Sequence, residues 1–186
     1  MDRKCAICNS NCTDYGNRIL RDGNIICRNC VRKASPWLTD EDYGRRDVED
    51  FNEHLKYREE NKEKLKTFEP DRVVRGKYSL YLDRDKRQFL ISKRTDYEED
   101  NADVLNYDDI RKLSIYDQKD DTGNYNIYVN IELDFEEIDS GCFRVNEFPG
   151  LERDSGEYNE AVMKAYDYLN ALEDEEGLDF EEVNND

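Results

Sequence analysis

Two cysteine pairs, Cys5-Ala-Ile-Cys8 and Cys27-Arg-Asn-Cys30, constrain this chain more than any other feature. A two-residue spacer lets one tight turn aim two sulfurs at a single ion, and two such turns close a tetrahedral shell around zinc. The intervening segment supports that geometry. Arg18 to Ile26 reads as two short strands joined by Asp22-Gly23, a dipeptide favoured in tight hairpin turns. Cys27 to Ala34 then reads as the opening turns of a helix. Knuckle, hairpin and a knuckle that opens a helix make a small treble-clef or zinc-ribbon-like module, expected over residues 1–38. So short a module buries too little surface to fold alone. One structural zinc on Cys5, Cys8, Cys27 and Cys30 is expected to supply the missing stability, on the order of 10–16 kcal/mol for comparable sites.

Two other uses of these thiols are weaker. Paired disulfides are disfavoured in a reducing cytosol, and an iron–sulfur cluster has no further support in the chain. Lys4, Arg28, Arg32 and Lys33 flank the ligands, where they can offset the −2 charge of a four-thiolate zinc. Cys12 follows Cys8 closely enough to replace it in principle, but is expected as a free thiol beside the site. Cys142, in Ser140-Gly141-Cys142-Phe143, is expected as a small buried apolar residue.

Residues 39–70 are expected as a connecting helix. Ser35-Pro36 is a helix-start signature that puts Trp37 at an early helical position, packing the module onto the next segment of the chain. From Asp47 to Phe68 there is no Gly or Pro; Asp47 can cap a long helix and Pro70 ends it. Val48, Phe51, Leu55, Leu65 and Phe68 form a narrow apolar stripe, interrupted by charge between Arg58 and Lys62. His54 has no acidic or cysteine partner at ligand spacing and is expected as a surface or edge histidine.

Residues 71–172 change from helical periodicity to alternation. Strands are expected at residues 78–82 and 88–92, then 110–116 and 125–133, with a shorter one at 142–145. A helix over residues 157–172 carries Val162, Ala165, Tyr166, Leu169 and Leu172 on one face. The fold class is therefore α+β, and the order suits an antiparallel pleckstrin-homology-like (PH-like) domain whose C-terminal helix plugs one end. Residues 173–186 hold eight acids and no base, which predicts an acidic disordered tail.

Cys5-Ala-Ile-Cys8, Asp22-Gly23, Cys27-Arg-Asn-Cys30, Ser35-Pro36-Trp37, Tyr57-Arg58-Glu59 and Asn61-Lys62-Glu63-Lys64 resemble a bacterial and phage family known only as a domain of unknown function. That family carries an N-terminal four-cysteine zinc module. The likeness runs over residues 4–116, reaching Asn101-Ala-Asp-Val-Leu105. It implies zinc at the four matched cysteines and a β-rich domain after them, and it carries no activity. The acidic second half and Cys12 depart from the family pattern.

Charge narrows the partners. The net charge of −18 is uneven: residues 1–94 hold 22 bases and 17 acids, whereas residues 95–186 hold 6 and 29. The acidic half is repelled by nucleic-acid phosphates and anionic lipid, so a protein with a basic surface is the natural match and membrane docking is disfavoured. No apolar run approaches a membrane span, and Met1-Asp2-Arg3-Lys4-Cys5 is no signal-peptide start, so the expected location is the cytoplasm. No phosphate-binding Gly-rich loop or nucleophile–base spacing is present, and a four-thiolate zinc leaves no position for water. The chain is thus expected to be non-enzymatic, without a small-molecule substrate. Acidic pairs such as Asp108-Asp109, Asp120-Asp121 and Glu136-Glu137 are expected as solvated surface. The leading expectation is a protein–protein interaction module. The alternatives are a phage-encoded DNA mimic that inhibits a host nucleic-acid enzyme or defence system, and nucleic-acid binding through the module's seven bases in residues 1–33.

Overall fold

Gly23 sits at φ +79°, the left-handed geometry that the Asp22-Gly23 turn needs, and closes an antiparallel hairpin of β1 (Arg18–Ile19) and β2 (Ile25–Ile26). The computed structural model describes residues 3–12, 15–94, 96–138 and 141–173. The acidic tail lies outside them beyond Glu173. The chain forms two compact units. Met1–Thr67 makes the first, together with Asn101–Asp103 and Glu136–Ser140; Phe68–Asp100, Val104–Phe135 and Gly141–Asp186 make the second.

In the first unit the hairpin leads into α1 (Arg28–Val31), α2 (Asp40–Arg45) and α3 (Val48–Thr67). Trp37 is not helical, contrary to the Ser35-Pro36 signature. A stronger start lies four residues on. Thr39 and Asp42 form a reciprocal capping box, the Thr39 N–H donating to Asp42 Oδ2 at 2.6 Å and the Asp42 N–H to Thr39 Oγ1 at 3.3 Å. The Ser35 hydroxyl instead accepts from the Trp37 N–H at 3.2 Å within a turn.

Asp47 caps α3 as expected, its Oδ1 accepting from the Glu49 and Asp50 N–H groups at 3.0 and 3.1 Å. This helix, expected as a connector, belongs to the first unit. Its buried positions are Phe51, His54, Arg58, Asn61 and Leu65. They recur at alternating intervals of three and four, so the stripe that looked interrupted by charge is continuous, with three of its five buried positions polar. Tyr43 of α2 and Phe51 of α3 pack in one core with Leu20, Ile26 and the buried cysteines 5, 27 and 30.

The second unit holds two antiparallel sheets. Strands β3 (Arg72–Val74), β4 (Ser79–Asp83), β5 (Gln88–Ser92) and β6 (Leu105–Asn106) pair in sequence order, with the short helix α4 (Tyr97–Asp100) before β6. Strands β7 (Ile110–Lys119), β8 (Tyr125–Leu133) and β9 (Cys142–Leu151) form a second meander. Helix α5 (Gly156–Glu173) packs on β7, β8 and β9, burying Ala165, Leu169 and Leu172. Gly76, in the β3–β4 turn, lies against Tyr168 of α5. A Cβ there would lie 2.0 Å from the Tyr168 hydroxyl, which donates to the Tyr78 carbonyl at 2.8 Å.

Cys142 is exposed, not a buried apolar residue. Strand alternation decides this: Phe143 and Val145 point into the core, so Cys142 and Arg144 face out. The architecture is mixed α+β with antiparallel sheets and a C-terminal helix.

Candidate metal centre

The first knuckle is folded by its own backbone. The Cys5 N–H donates to the Ser10 carbonyl and the Asn9 N–H to the Cys5 carbonyl, both at 2.9 Å, with Asn9 at φ +57° where asparagine is tolerated. The Ala6 N–H donates to the Ile25 carbonyl at 2.9 Å, fixing this knuckle to the hairpin that delivers the second one. There Cys27 precedes α1 and Cys30 lies within it, so one helical turn sets their separation.

The four Sγ atoms lie within 4.8 Å of one another. Cys5 and Cys30 are 3.8 Å apart, and Cys8 and Cys27 are 3.6 Å apart. A tetrahedral shell with Zn–S bonds of about 2.3 Å has sulfur–sulfur edges of about 3.8 Å. These two edges already stand near the length of a zinc–thiolate cage, and the set of four can hold a metal ion. All six described cysteines are free thiols, so no disulfide competes for them.

The electrostatics are uneven. Cys8, exposed, has its thiol brought down to about 6, chiefly by hydrogen bonds from the Ser10 side chain and backbone and then from Cys27 and Cys30. Burial opposes ionisation of Cys5, yet backbone N–H groups of Cys27, Cys8 and Ile7 hold it below the ordinary thiol value. The Cys27 N–H stands 3.2 Å from Cys5 Sγ. Cys30 is pushed far above that value, by burial first and then by its thiol neighbours. Cys5, Cys8, Cys27 and Cys30 would hold a metal ion as thiolates, so the protons still on the buried thiols would be released on binding. Cys12 is raised by burial and by the charges of Cys5, Cys27 and Cys8. It packs beside the cage and is not one of the four.

Residues 4–54 match the family model described as "Domain of unknown function (DUF4428)". The matched stretch contains all four cage cysteines, α2 and the first turns of α3. It is shorter than the resemblance drawn over residues 4–116. No curated protein and no solved structure matches the chain.

A second constellation was not visible as such in the sequence. His54 is 1% exposed, which corrects its reading as a surface or edge histidine. Its Nε2 accepts from the Ser35 backbone N–H at 3.0 Å, and its Nδ1 is 2.8 Å from Glu137 Oε2. One turn on, Arg58 pairs with Asp103 and donates to the Asn101 carbonyl. Asp103 also accepts from the Ser35 hydroxyl at 2.6 Å and the Tyr57 hydroxyl at 2.8 Å. Burial first, then the Asp103 charge, push the Tyr57 phenol far above its ordinary value, which keeps it a donor. Asn61 donates to the Ala102 carbonyl at 2.8 Å. Two chain segments, 101–103 and 136–138, are thus held to the polar stripe of α3. Ser35, His54 and Glu137 are the residue types of a hydrolytic triad without its geometry. The histidine takes the backbone N–H of Ser35, and the hydroxyl serves Asp103. The signal for this cluster was the three–four spacing of positions 51, 54, 58, 61 and 65.

Proposed function

We propose that this chain is a zinc-stabilised, non-enzymatic protein–protein interaction module of bacterial or phage origin, binding through its acidic half. The four-thiol cluster, compact enough to hold a metal ion and with two edges near zinc-shell length, carries the reading. Knuckle, hairpin and knuckle-opened helix support a treble-clef assignment of the module. A four-strand meander, a three-strand meander and a packed C-terminal helix support a PH-like assignment of the second unit. No described helix is long and apolar enough to cross a membrane.

The acids are not equally available to a partner. Glu137 holds His54, Glu147 pairs with Lys77, Asp108 with Arg87, and Asp120 accepts from its own turn at Thr122 and Asn124. Glu132 and Asp134 of the second unit remain the better candidates for a binding face, Asp134 standing 3.9 Å from Arg111 and 81% exposed. On the basic module, Arg18 and Arg21 pair with Asp40, Asp47 and Asp50, and Arg28 lies over the Tyr15 ring. That engagement weighs against nucleic-acid binding through the module.

The test is a pull-down by the zinc-loaded chain from nuclease-treated bacterial lysate, repeated with Glu132 and Asp134 neutralised and at raised salt. The proposal expects one stoichiometric partner, lost on neutralisation and weakened by salt. Competition of that partner by duplex DNA would favour the DNA-mimic inhibitor. A partner retained equally by the neutralised variant, or none at all, overturns the acidic-face reading.

A further inference from the structure

The two hydrogen-bond partners of the buried histidine of the first unit fix the tautomer of its neutral ring. An amide N–H can only donate, so the Ser35 N–H at 3.0 Å requires a lone pair on His54 Nε2. The proton of the neutral ring is then on Nδ1, which donates to Glu137 Oε2 at 2.8 Å. Adding a proton to Nε2 sets two donors against each other in a place where both residues are almost wholly buried.

We propose that His54 is an acid-operated latch: protonation at Nε2 releases the Ser35 turn from α3 while the Glu137 segment stays bound. The asymmetry follows from the charges around the ring. Glu137, from residues 136–138, favours the imidazolium and binds it more strongly. The Arg46 guanidinium, just past α2, donates to the Glu137 carbonyl at 2.7 Å and anchors that segment independently of His54. On α3, the Tyr57 ring lies 5.8 Å from the imidazole, and Arg58 is neutralised by Asp103 of residues 101–103. Tyr43 of α2 stands behind Phe51. Among these described contacts, the hydrogen bond that the added proton breaks is the one from the Ser35 N–H, and the Arg46 cation adds an electrostatic cost. Ser35 also donates its hydroxyl to Asp103 and accepts from the Trp37 N–H, so its release loosens both.

The experiment uses the full metal-loaded chain. Amide exchange at Ser35 and at residues 136–138 is followed from about pH 8 to pH 5 alongside the His54 ring nitrogens by NMR, with zinc content read in parallel. Expected are the Nδ1–H tautomer at the alkaline end and a fall of at least about tenfold in Ser35 protection as the ring titrates, with 136–138 still protected. In His54→Gln, whose side-chain oxygen can accept from Ser35 without titrating, the fall is absent. Glu137→Gln, which removes the charge favouring the imidazolium, moves the midpoint to lower pH. An Nε2–H tautomer, a ring that does not titrate in this range, Ser35 protection unchanged as it does, or the same fall in His54→Gln each overturns the latch. If His54→Gln does not fold, the tautomer, the match of midpoints in the native chain and the Glu137→Gln shift decide it.

Discussion

Arg58 and Asp103, 45 residues apart in the chain, form an ion pair whose side chains are 2% and 0% exposed. Such a pair contributes less to stability than its burial suggests, because both ions lose their hydration. Removing one partner is different, since it strands the other charge. Arg58→Ala or Asp103→Ala is expected to cost about 3–5 kcal/mol in urea unfolding, and the double change to Arg58→Met with Asp103→Leu much less than the sum. A single-variant cost below about 1 kcal/mol would show that water reaches the stranded ion.

Metal removal is expected to unfold the first unit selectively. Cys27→Ser with Cys30→Ser, or a strong chelator, should abolish bound zinc and the cooperative melting of residues 3–67, since these cysteines share one core with Leu20, Tyr43 and Phe51. Cys12→Ser and Cys142→Ser should each keep one metal per chain by elemental analysis. Loss of metal in Cys12→Ser would place that thiol in the cage.

Gly76→Ala should destabilise the second unit by about 1–3 kcal/mol, as an overpacked core change does, because the new Cβ would meet the Tyr168 hydroxyl and Asn146 Nδ2. Combining it with Tyr168→Phe should recover part of the loss. Thermal melting that leaves Gly76→Ala unchanged would contradict this packing.

Acid stability should depend on Asp83. Burial opposes its ionisation, but the Glu69 N–H at 2.9 Å and the Lys86 N–H and Nζ at 3.2 and 3.0 Å outweigh that and hold its carboxyl below the usual value. A folded-state value below the unfolded one means stability present above the unfolded carboxylate value, near about 3.9, and lost as pH falls through the folded value. Asp83→Asn should be less stable at neutral pH and show a flatter decline in unfolding free energy below about pH 4. An unchanged slope would remove Asp83 from the acid response.

Much of the cage could be read from spacing alone, because each part is local. A CxxC turn, an Asp-Gly hairpin and a helix opened by the second knuckle involve neighbours in the chain, and the structure brings Cys5, Cys8, Cys27 and Cys30 within 4.8 Å. The strand hairpins of the second unit and its closing helix were legible for the same reason, since alternation and three–four periodicity are short-range patterns. Trp37 was misplaced where two local signals competed and the Thr39–Asp42 capping box prevailed. Cys142 was misplaced although the alternation of Phe143 and Val145 was there to be read.

His54, Arg58 and Asn61 are another matter. By composition they belong on a solvated face, and their partners Glu137, Asp103 and Ala102 lie 83, 45 and 41 residues away. Local order was determined by the sequence itself, through turn chemistry, capping and periodicity. Which polar side chains are buried was decided only by the tertiary structure, because a charge can leave water only where a distant partner meets it.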